Sequence, residues 1–555
     1  MADVPIVVGI NRTQDGSLAV AVGESGMYSL QKDRVTRRKG HWGRLGDLPD
    51  SYLPALPQLK EPVDLVVECY SCDSEMEHAS AYHGEMRETL SLRRGAPVAL
   101  ISHHLAHLYG AFYPSPFGQA AGLVIDAQGS RVRDFTERVE LPPGTDGELL
   151  EVASFYRCAR GRIECVAKQL WDGDWARPAG LGAFYALLTA ALWPGEGDEE
   201  KVMGLAAYGD PDALGLPDLD VRGHEVHIPA AWMAAFGAAT GYEPGGEEFR
   251  RAADLAAAGQ RAFERALTRL AGWLHDRTGL DALVFAGGAA LNVPANGRLL
   301  RESPFREVFV PPSPHAGGTA VGCALYGLIT CLGVESRFRW TDDFLGPDAD
   351  AGAVEAAVRA LPDDLYAERP GDLVAEVAAL LASGRVVGLY EGRGESGPRG
   401  LGHRSVLADP RRPGLRDYVN REVRGREWFR PLAPVVPADQ AGRYFEIDRP
   451  APFRQYAAPV RPAYRELLPA VTHADGTAAL QTAERATTPF LYALLTAWQR
   501  RTGVPVLVNT SLSGPGEPLA ETPEHAVELL RTTGLHALAM PPYLIRRREE
   551  PPLAT

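Results

Sequence analysis

Residues 102–107 read Ser-His-His-Leu-Ala-His. His103 and His107 are four apart, so on a helix their rings stack on one face, where two neutral imidazoles can grip one cation. The same spacing suits a polar helix face turned to solvent, and the stretch alone leaves both readings open. A second chemical centre lies far downstream, in Glu391-Gly-Arg-Gly-Glu-Ser-Gly-Pro-Arg-Gly-Leu-Gly-His-Arg-Ser405. Its glycines can turn backbone N–H groups into an anion nest, and Arg393, Arg399 and Arg404 carry guanidinium forks that match phosphate or carboxylate oxygens. Residues 421–431 add Arg424, Arg426 and Arg430 beside Trp428 and Phe429, either a wall for a planar group or core aromatics between solvated charges. The run Val504–Ser511 predicts a buried strand ending in Asn509, Thr510 and Ser511. Polar side chains at the carboxyl end of a strand are where α/β sheets place ligands, so this half of the chain reads as a phosphate-handling site.

The elements around these residues follow from hydrophobic pattern and turn chemistry. Ile6–Asn11 followed by Asp15-Gly-Ser17, and Gly122–Asp126 followed by Gln128-Gly-Ser130, share one layout: a buried strand feeding a tight hairpin. That pairing suggests an internally duplicated α/β domain of the actin-like ATPase type. A further strand, Asp281–Ala286, runs into Gly287-Gly288 and Asn292; paired glycines there let backbone approach a phosphate or adenosine, or simply make a turn. Helices are expected over Ala252–Gly279, Ala353–Ala360 and Leu373–Ala382, and a strand over Arg385–Tyr390. Pro142–Gly147 and Asp210–Gly223 read as surface loops. A stretch rich in Asp, Gly and Pro between Trp340 and Pro370 marks the domain boundary, dividing residues 1–345 from 346–555.

Composition narrows the class. With 555 residues, 45% apolar and 23% charged, the chain is long enough for several large cores. Its net charge of -14 argues against non-specific binding to nucleic acid or to an acidic membrane surface. The opening Met-Ala-Asp-Val-Pro-Ile-Val-Val has no basic region ahead of a long apolar run, so no signal peptide is expected, and no stretch is long enough to span a bilayer. Six cysteines in so long a chain point to the reducing cytoplasm rather than a disulfide framework. Cys69 and Cys72 have zinc-like spacing and could be joined by Cys158 and Cys165, but no second Cys-x-x-Cys follows.

Taken together, Gly392–Arg411, Arg426–Pro434, Val508–Ser511, Lys201–Gly209, Ala286–Asn292 and the histidine stretch resemble, in order, the motifs of the O-carbamoyltransferases of antibiotic and nodulation-factor biosynthesis. The nearest comparison is with enzymes that carbamoylate aminoglycosides and macrolides. The resemblance implies a duplicated actin-like amino-terminal domain and a threonylcarbamoyl-AMP-synthase-like (YrdC-like) α/β carboxyl-terminal domain. It implies that the second makes carbamoyl adenylate from carbamoyl phosphate and ATP. The first would pass the carbamoyl group to a small natural-product acceptor, with Fe2+ as the expected metal and Mg2+ accompanying ATP. The implied metal ligands are His103, His107 and Asp126. Lys39, with Gly287, Gly288 and Asn292, would meet the nucleotide, and Arg399, Arg424, Arg430 and Asn509, together with Arg393 and Arg404 of the Gly-rich loop, would bind carbamoyl phosphate and ATP. Arg424 keeps the charge of the family's usual lysine without its geometry.

Several positions depart from that pattern. The family's His-Asp in the first hairpin is Gln14-Asp15 here, and glutamine cannot act as a base, which leaves Asp15 or a substrate amine to do so. Ala316 stands where a fourth metal ligand is expected, with His315 as a neighbouring substitute. Ala479 replaces an arginine before Gln481-Thr482, and Leu512-Ser513 replace Phe-Asn after Asn509-Thr510-Ser511. These departures motivate two competing readings, a repurposed acyl-transfer enzyme and a silent nucleotide-binding partner; an actin-fold sugar kinase leaves the second domain unexplained. Trp171, Trp175, Phe184 and Tyr185 are either an acceptor pocket or core. A homo-oligomer is compatible with the sequence, though no residue argues for one.

Overall fold

A computed structural model describes residues 4–71, 79–195, 199–239, 241–242, 246–348 and 350–553. The chain divides into two compact units, Met1–Lys32 with Gly40–Trp340, and Asp33–Lys39 with Thr341–Thr555. The short segment Asp33–Lys39, which a single boundary near residue 345 leaves with the first half, clusters with the second.

In the first unit, Ile6–Asn11 (β1) is apolar up to its closing Asn11 because both faces of the strand are covered. It lies antiparallel to Ser17–Val22 (β2) and parallel to Leu65–Tyr70 (β4), and all its residues are buried. Gly26–Gln31 (β3) pairs with β2, and Val98–Ser102 (β5) with β4. The second sheet is built the same way around Gln119–Ile125 (β6). Leu150–Ala159 (β7) and Arg162–Trp171 (β8) lie antiparallel on one side of it. After a two-stranded ribbon, Asp220–Arg222 (β9) and Glu225–His227 (β10), the strands Ala282–Ala286 (β11) and Glu307–Phe309 (β12) lie parallel on the other side. The strand orders β3-β2-β1-β4-β5 and β8-β7-β6-β11-β12 are one topology used twice, the duplicated actin-like arrangement.

The two copies differ at the turn. β1 and β2 are joined by a tight turn in which Asp15 adopts φ 54. β6 and β7 are joined instead by residues 126–149, not by the tight hairpin the sequence pattern suggests. Backbone bonds from Gly129 to the Glu151 carbonyl (2.8 Å) and an isolated bridge between Arg131 and Leu150 steer that longer path. Asp210–Gly223, read as a loop, also contributes β9.

Between the sheets lie two short helices. His103–Phe112 packs on β6 and β11, and Thr319–Tyr326 packs on β1, β2 and β4. They cross closely because glycines face each other: a Cβ on Gly322 would stand 1.8 Å from the Ala106 carbonyl, and Gly110 faces Gly318 and Gly322. Every residue of His103–Phe112 is buried, which overturns the reading of its histidines as a solvent-facing polar stripe. Phe184 packs edge-on against Trp232 at 4.9 Å, Tyr185 donates to Gln260 (2.7 Å) and Trp171 is buried, so these aromatics are core; Trp175 is exposed. No helix among the described residues is long and apolar enough to cross a membrane.

The second unit is a mixed nine-stranded sheet. In chain order its strands are Leu365–Glu368 (β13), Val387–Tyr390 (β14), Arg404–Ala408 (β15), Ala433–Pro437 (β16), Tyr456–Pro459 (β17), Thr477–Ala483 (β18), Leu507–Ser511 (β19), Ala537–Met540 (β20) and Tyr543–Arg547 (β21). Side chains alternate between two cores. Val406, Leu480 and Val508 enter one, while Leu389, Leu407 and Leu507 meet the helices Leu373–Ala382 and Pro489–Thr502 in the other. A sheet covered on both faces in this way fits the threonylcarbamoyl-AMP-synthase-like half of the expected fold.

The glycine contact between the central helices yields a test. Gly322→Ala forces those helices apart and destabilises the first unit by about 1–3 kcal/mol, the usual cost of overpacking, read as a lower denaturant midpoint.

Candidate functional sites

The first site forms where the helix His103–Phe112 meets the end of β6. Ser130 Oγ accepts the His103 N–H (2.8 Å), and Glu151 Oε1 accepts the N–H groups of His104 (3.0 Å) and Ser130 (3.1 Å). These bonds cap the helix and tie the loop after β6 to it. Glu151 is itself held by Lys168, whose fully buried side chain also pairs with Glu137 at 2.7 Å. Burial opposes the Lys168 charge, but the two carboxylates outweigh it and its pKa is raised.

This framework brings His103, His107 and Asp126 together. Their ligand atoms are 3.1 Å apart between the two Nε2 atoms, and Asp126 Oδ2 lies 3.3 Å from His107 and 3.6 Å from His103. A point equidistant from the three atoms lies about 1.9 Å from each, close to the ~2.0–2.2 Å of metal–imidazole and metal–carboxylate bonds. Two imidazoles and one carboxylate also form the donor set that suits non-haem ferrous iron. The Asp126 side chain keeps 18% of its surface exposed, so the cluster has an open side. Gly182 and Gly288 make room for it, since a Cβ on Gly182 would stand 2.2 Å from the Asp126 carbonyl and one on Gly288 3.0 Å from Oδ1.

The middle histidine is not a member. His104 Nδ1 lies 2.7 Å from Ser154 Oγ, and burial together with the Lys168 charge holds it neutral. His315 stands outside the cluster, with Nδ1 3.4 Å from Ser313 Oγ. Among the described residues the cysteines form no metal-binding group; Cys69, Cys158 and Cys165 are free, and Cys72 lies outside the described residues. Burial works against a charged His103, but Asp126 and Cys69 outweigh it and raise its pKa to about 10. Burial likewise opposes charge on Asp126, yet bonds from both histidines keep it well below the usual carboxylate range.

The other predicted residues of the first unit have structural partners. Gly287, at φ 91, is required because a Cβ would stand 2.1 Å from the Ile125 carbonyl. Asn292 caps the helix Val293–Glu302 through Ala295 N (3.0 Å) and pairs with Gln260. Lys39 is exposed and belongs to the segment that clusters with the second unit. Two departures prove to be neighbours: Asn11 Nδ2 donates to the carbonyls of Gln14 (3.1 Å), Asp15 (3.1 Å) and Ala316 (3.0 Å).

In the second unit the Gly-rich loop does not leave its backbone as an open nest. Glu395 Oε1 accepts the N–H groups of Leu401 (2.7 Å), His403 (3.0 Å) and Arg404 (3.1 Å), while Asp343 accepts that of Gly397 (2.8 Å). Arg404 stacks 3.7 Å over Tyr390 and donates to the Gly392 carbonyl (3.0 Å). Arg393 donates to the carbonyls of Gly346 (3.0 Å) and Leu345 (2.7 Å). These two arginines hold the loop. Others gather at the carboxyl end of β19, where Arg424 donates to the carbonyls of Ser511 and Ser513 (2.7 Å each) and Gly400 N donates to Ser511 Oγ (3.1 Å). Arg399 donates to the carbonyl of Arg454 (2.7 Å), and Arg454 to that of Asn509 (3.2 Å). Asn509 Nδ2 donates to Gln481 (2.6 Å), while its fully buried Oδ1 accepts from none of the described residues. Arg430 is buried, 3.8 Å from Glu427. Sequence reading missed the roles of Glu151, Glu395 and Arg454, because nothing in their local stretches sets them apart from neighbouring charges.

At pH 7 His103 carries a proton that an entering cation must displace, so cation affinity falls as pH drops. Anaerobic calorimetry with ferrous ion in two buffers of different ionisation enthalpy is expected to report release of about one proton at pH 7. Asp126→Asn is expected to weaken binding by more than the ~10–100-fold that losing an outer-shell partner costs.

Comparison with known proteins agrees with this architecture. Residues 70–325 match the family model for the carbamoyltransferase N-terminus, and residues 378–547 that for the carbamoyltransferase C-terminus. Nodulation protein NolO of Bradyrhizobium diazoefficiens is 34% identical over 458 residues, covering 81% of this chain and 79% of that protein. Nodulation protein NolNO of Sinorhizobium fredii is 35% identical over 470 residues, which is 82% of this chain but 65% of that longer protein. Among solved structures, HypF of T. kodakarensis aligns with a TM-score of 0.39 and 15% identity, over 60% of this chain and 48% of that one. Two family matches in the expected order, one on each unit, and a relative aligned over most of both lengths establish that this chain belongs to the carbamoyltransferase family.

Proposed function

We propose that this chain is an ATP-dependent carbamoyltransferase that forms carbamoyl adenylate and carbamoylates a hydroxyl or amine of a small natural product in bacterial secondary metabolism, in the cytoplasm. The observation that carries this reading is the polar cluster of Arg399, Arg424 and Asn509 at the carboxyl end of β19, a strand end inside a sheet covered on both faces.

In this reading the guanidinium groups of the second unit orient the phosphates of carbamoyl phosphate and ATP, with Mg2+ accompanying the nucleotide. Carbamoyl phosphate gives up phosphate to water, and the carbamate oxygen attacks the α-phosphate of ATP, expelling pyrophosphate. Adenylation makes AMP the leaving group from an otherwise poor electrophile. Asn509 Oδ1, a buried acceptor without a partner among the described residues, is suited to receive an N–H from the carbamoyl group.

In the first unit His103, His107 and Asp126 would hold a divalent metal, and their donor set favours Fe2+. When bound, it would supply Lewis-acid stabilisation to oxygen that develops charge. In this reading Asp15, whose backbone carbonyl Asn11 holds in a left-handed turn, would take the acceptor's proton in place of the residue at position 14, which is glutamine. An amine acceptor needs less help than a hydroxyl, which is why both remain within the proposal.

The test supplies purified protein with ATP, Mg2+, Fe2+ and carbamoyl phosphate, without acceptor, and follows products by mass spectrometry. Pyrophosphate, AMP and carbamoyl adenylate are expected only when carbamoyl phosphate is present. ATP binding with no turnover, or turnover independent of carbamoyl phosphate, would sink this reading.

A further inference from the structure

One arginine of the second unit belongs to none of the motifs that identify it. Arg454 lies in Ala451-Pro-Phe-Arg-Gln455, just before β17. The segment is fastened to β18 by two bonds, Ala451 N to Thr482 Oγ1 (2.8 Å) and Thr482 N to the Ala451 carbonyl (3.0 Å). Within it Arg454 adopts φ 58, a left-handed conformation shared among the described non-glycine residues only by Asp15 and Arg37. That backbone is strained for a residue with a side chain, and such strain collects where a site must be aimed. Buried Phe453 and Gln455 flank it, and Gln455 Oε1 accepts the Phe453 N–H (3.1 Å), which holds the turn.

The consequence is the direction of the guanidinium. Arg454 Nη1 donates to the Asn509 carbonyl (3.2 Å), and its own carbonyl accepts from Arg399 (2.7 Å). It therefore stands beside Arg399 and Asn509, in the cluster at the end of β19 that also includes Arg424.

Side-chain alternation along β18 adds a second argument. Ala478 and Leu480 enter the core on one face. Ala479 and Gln481 therefore share the other face, where Gln481 meets Asn509. At position 479 that face carries only a methyl group, and the strand partner of Ala479 is Ala457, another methyl. Arg454, three residues before Ala457, is the cation this stretch of the site does possess.

We infer that Arg454 is a phosphate-binding residue of the carboxyl-terminal site, supplying the guanidinium that position 479 lacks. The inference rests on the proposed carbamoyl-phosphate reading for the name of its ligand; the chemistry it requires is a phosphate oxyanion. Carbamoyl phosphate and ATP both present one, and separate titrations distinguish them.

The decisive variant is Arg454→Gly, because glycine takes φ 58 without strain, which offsets the entropy that glycine adds to the unfolded chain. With the full-length chain, inorganic phosphate, carbamoyl phosphate and ATP are each titrated by calorimetry, and KM for carbamoyl phosphate is read from pyrophosphate release. Arg454→Gly is expected to keep Tm while weakening inorganic phosphate and carbamoyl phosphate by about 10–100-fold, the range for losing a charge-assisted bond. ATP affinity is expected to change by less than about twofold, Arg454→Lys to recover part of the loss, and Ala479→Arg added to Arg454→Gly to recover more. A Tm that falls with phosphate affinity intact assigns Arg454 a structural role and overturns the inference. So does a loss confined to ATP, or a wild-type chain that binds no phosphate. If the wild type binds phosphate but never turns over carbamoyl phosphate, the proposed function fails while the Arg454 result still stands.

Discussion

The first unit depends on one carboxylate that never meets solvent. Glu151 sits at the amino end of the histidine helix, accepts N–H groups from that helix and from the loop after β6, and is neutralised by Lys168. Two parts of the chain that must face each other, one carrying His103 and His107 and the other Asp126, are thereby tied to the same carboxylate oxygen, while Lys168 holds the other. A helix N-terminus favours a negative charge, and a buried ion pair that loses one partner costs about 3–5 kcal/mol. The ligand geometry is thus fixed by a group that does not touch the ligand position.

The second unit uses the same device with a different outcome. Glu395 fills the amide nest of its own loop, so the density of glycines there serves an internal anion rather than a substrate. Arg393 and Arg404 then brace the loop through carbonyls and an aromatic face. What remains for a ligand is the set of side chains at the end of β19. Motif density and ligand contact are therefore different things in this protein: a loop rich in conserved-looking chemistry can be the frame, while the site lies where the frame points.

The departures from the family pattern also acquire a geometry. Gln14 and Ala316 are far apart in sequence, yet their carbonyls share the amide of Asn11. Two changes that look independent along the chain therefore alter one place in the first unit, and Asp15 lies in that same node. His315, adjacent to Ala316, turns toward Ser313 rather than joining the ligand cluster.

Hydrophobic pattern and turn chemistry were sufficient for the sheets. β1 and β11 are apolar runs bounded by Gly, Asn or Asp, β14 and β19 continue apolar runs that begin just before them, and the repeated layout of β1 and β6 announced the duplication. The pairing of His103 with His107 was legible because helix geometry converts a spacing of four into one face. Sequence could not show that this face is buried, because burial depends on a glycine contact with a helix some two hundred residues away. Nor could it separate Arg404 from Arg424, since the alternation of a strand and the reach of a guanidinium decide which carbonyls or ligands each one meets. Local spacing determined which residues could do chemistry; long-range packing, by satisfying some polar groups internally and aiming others outward, decided which of them form the candidate sites.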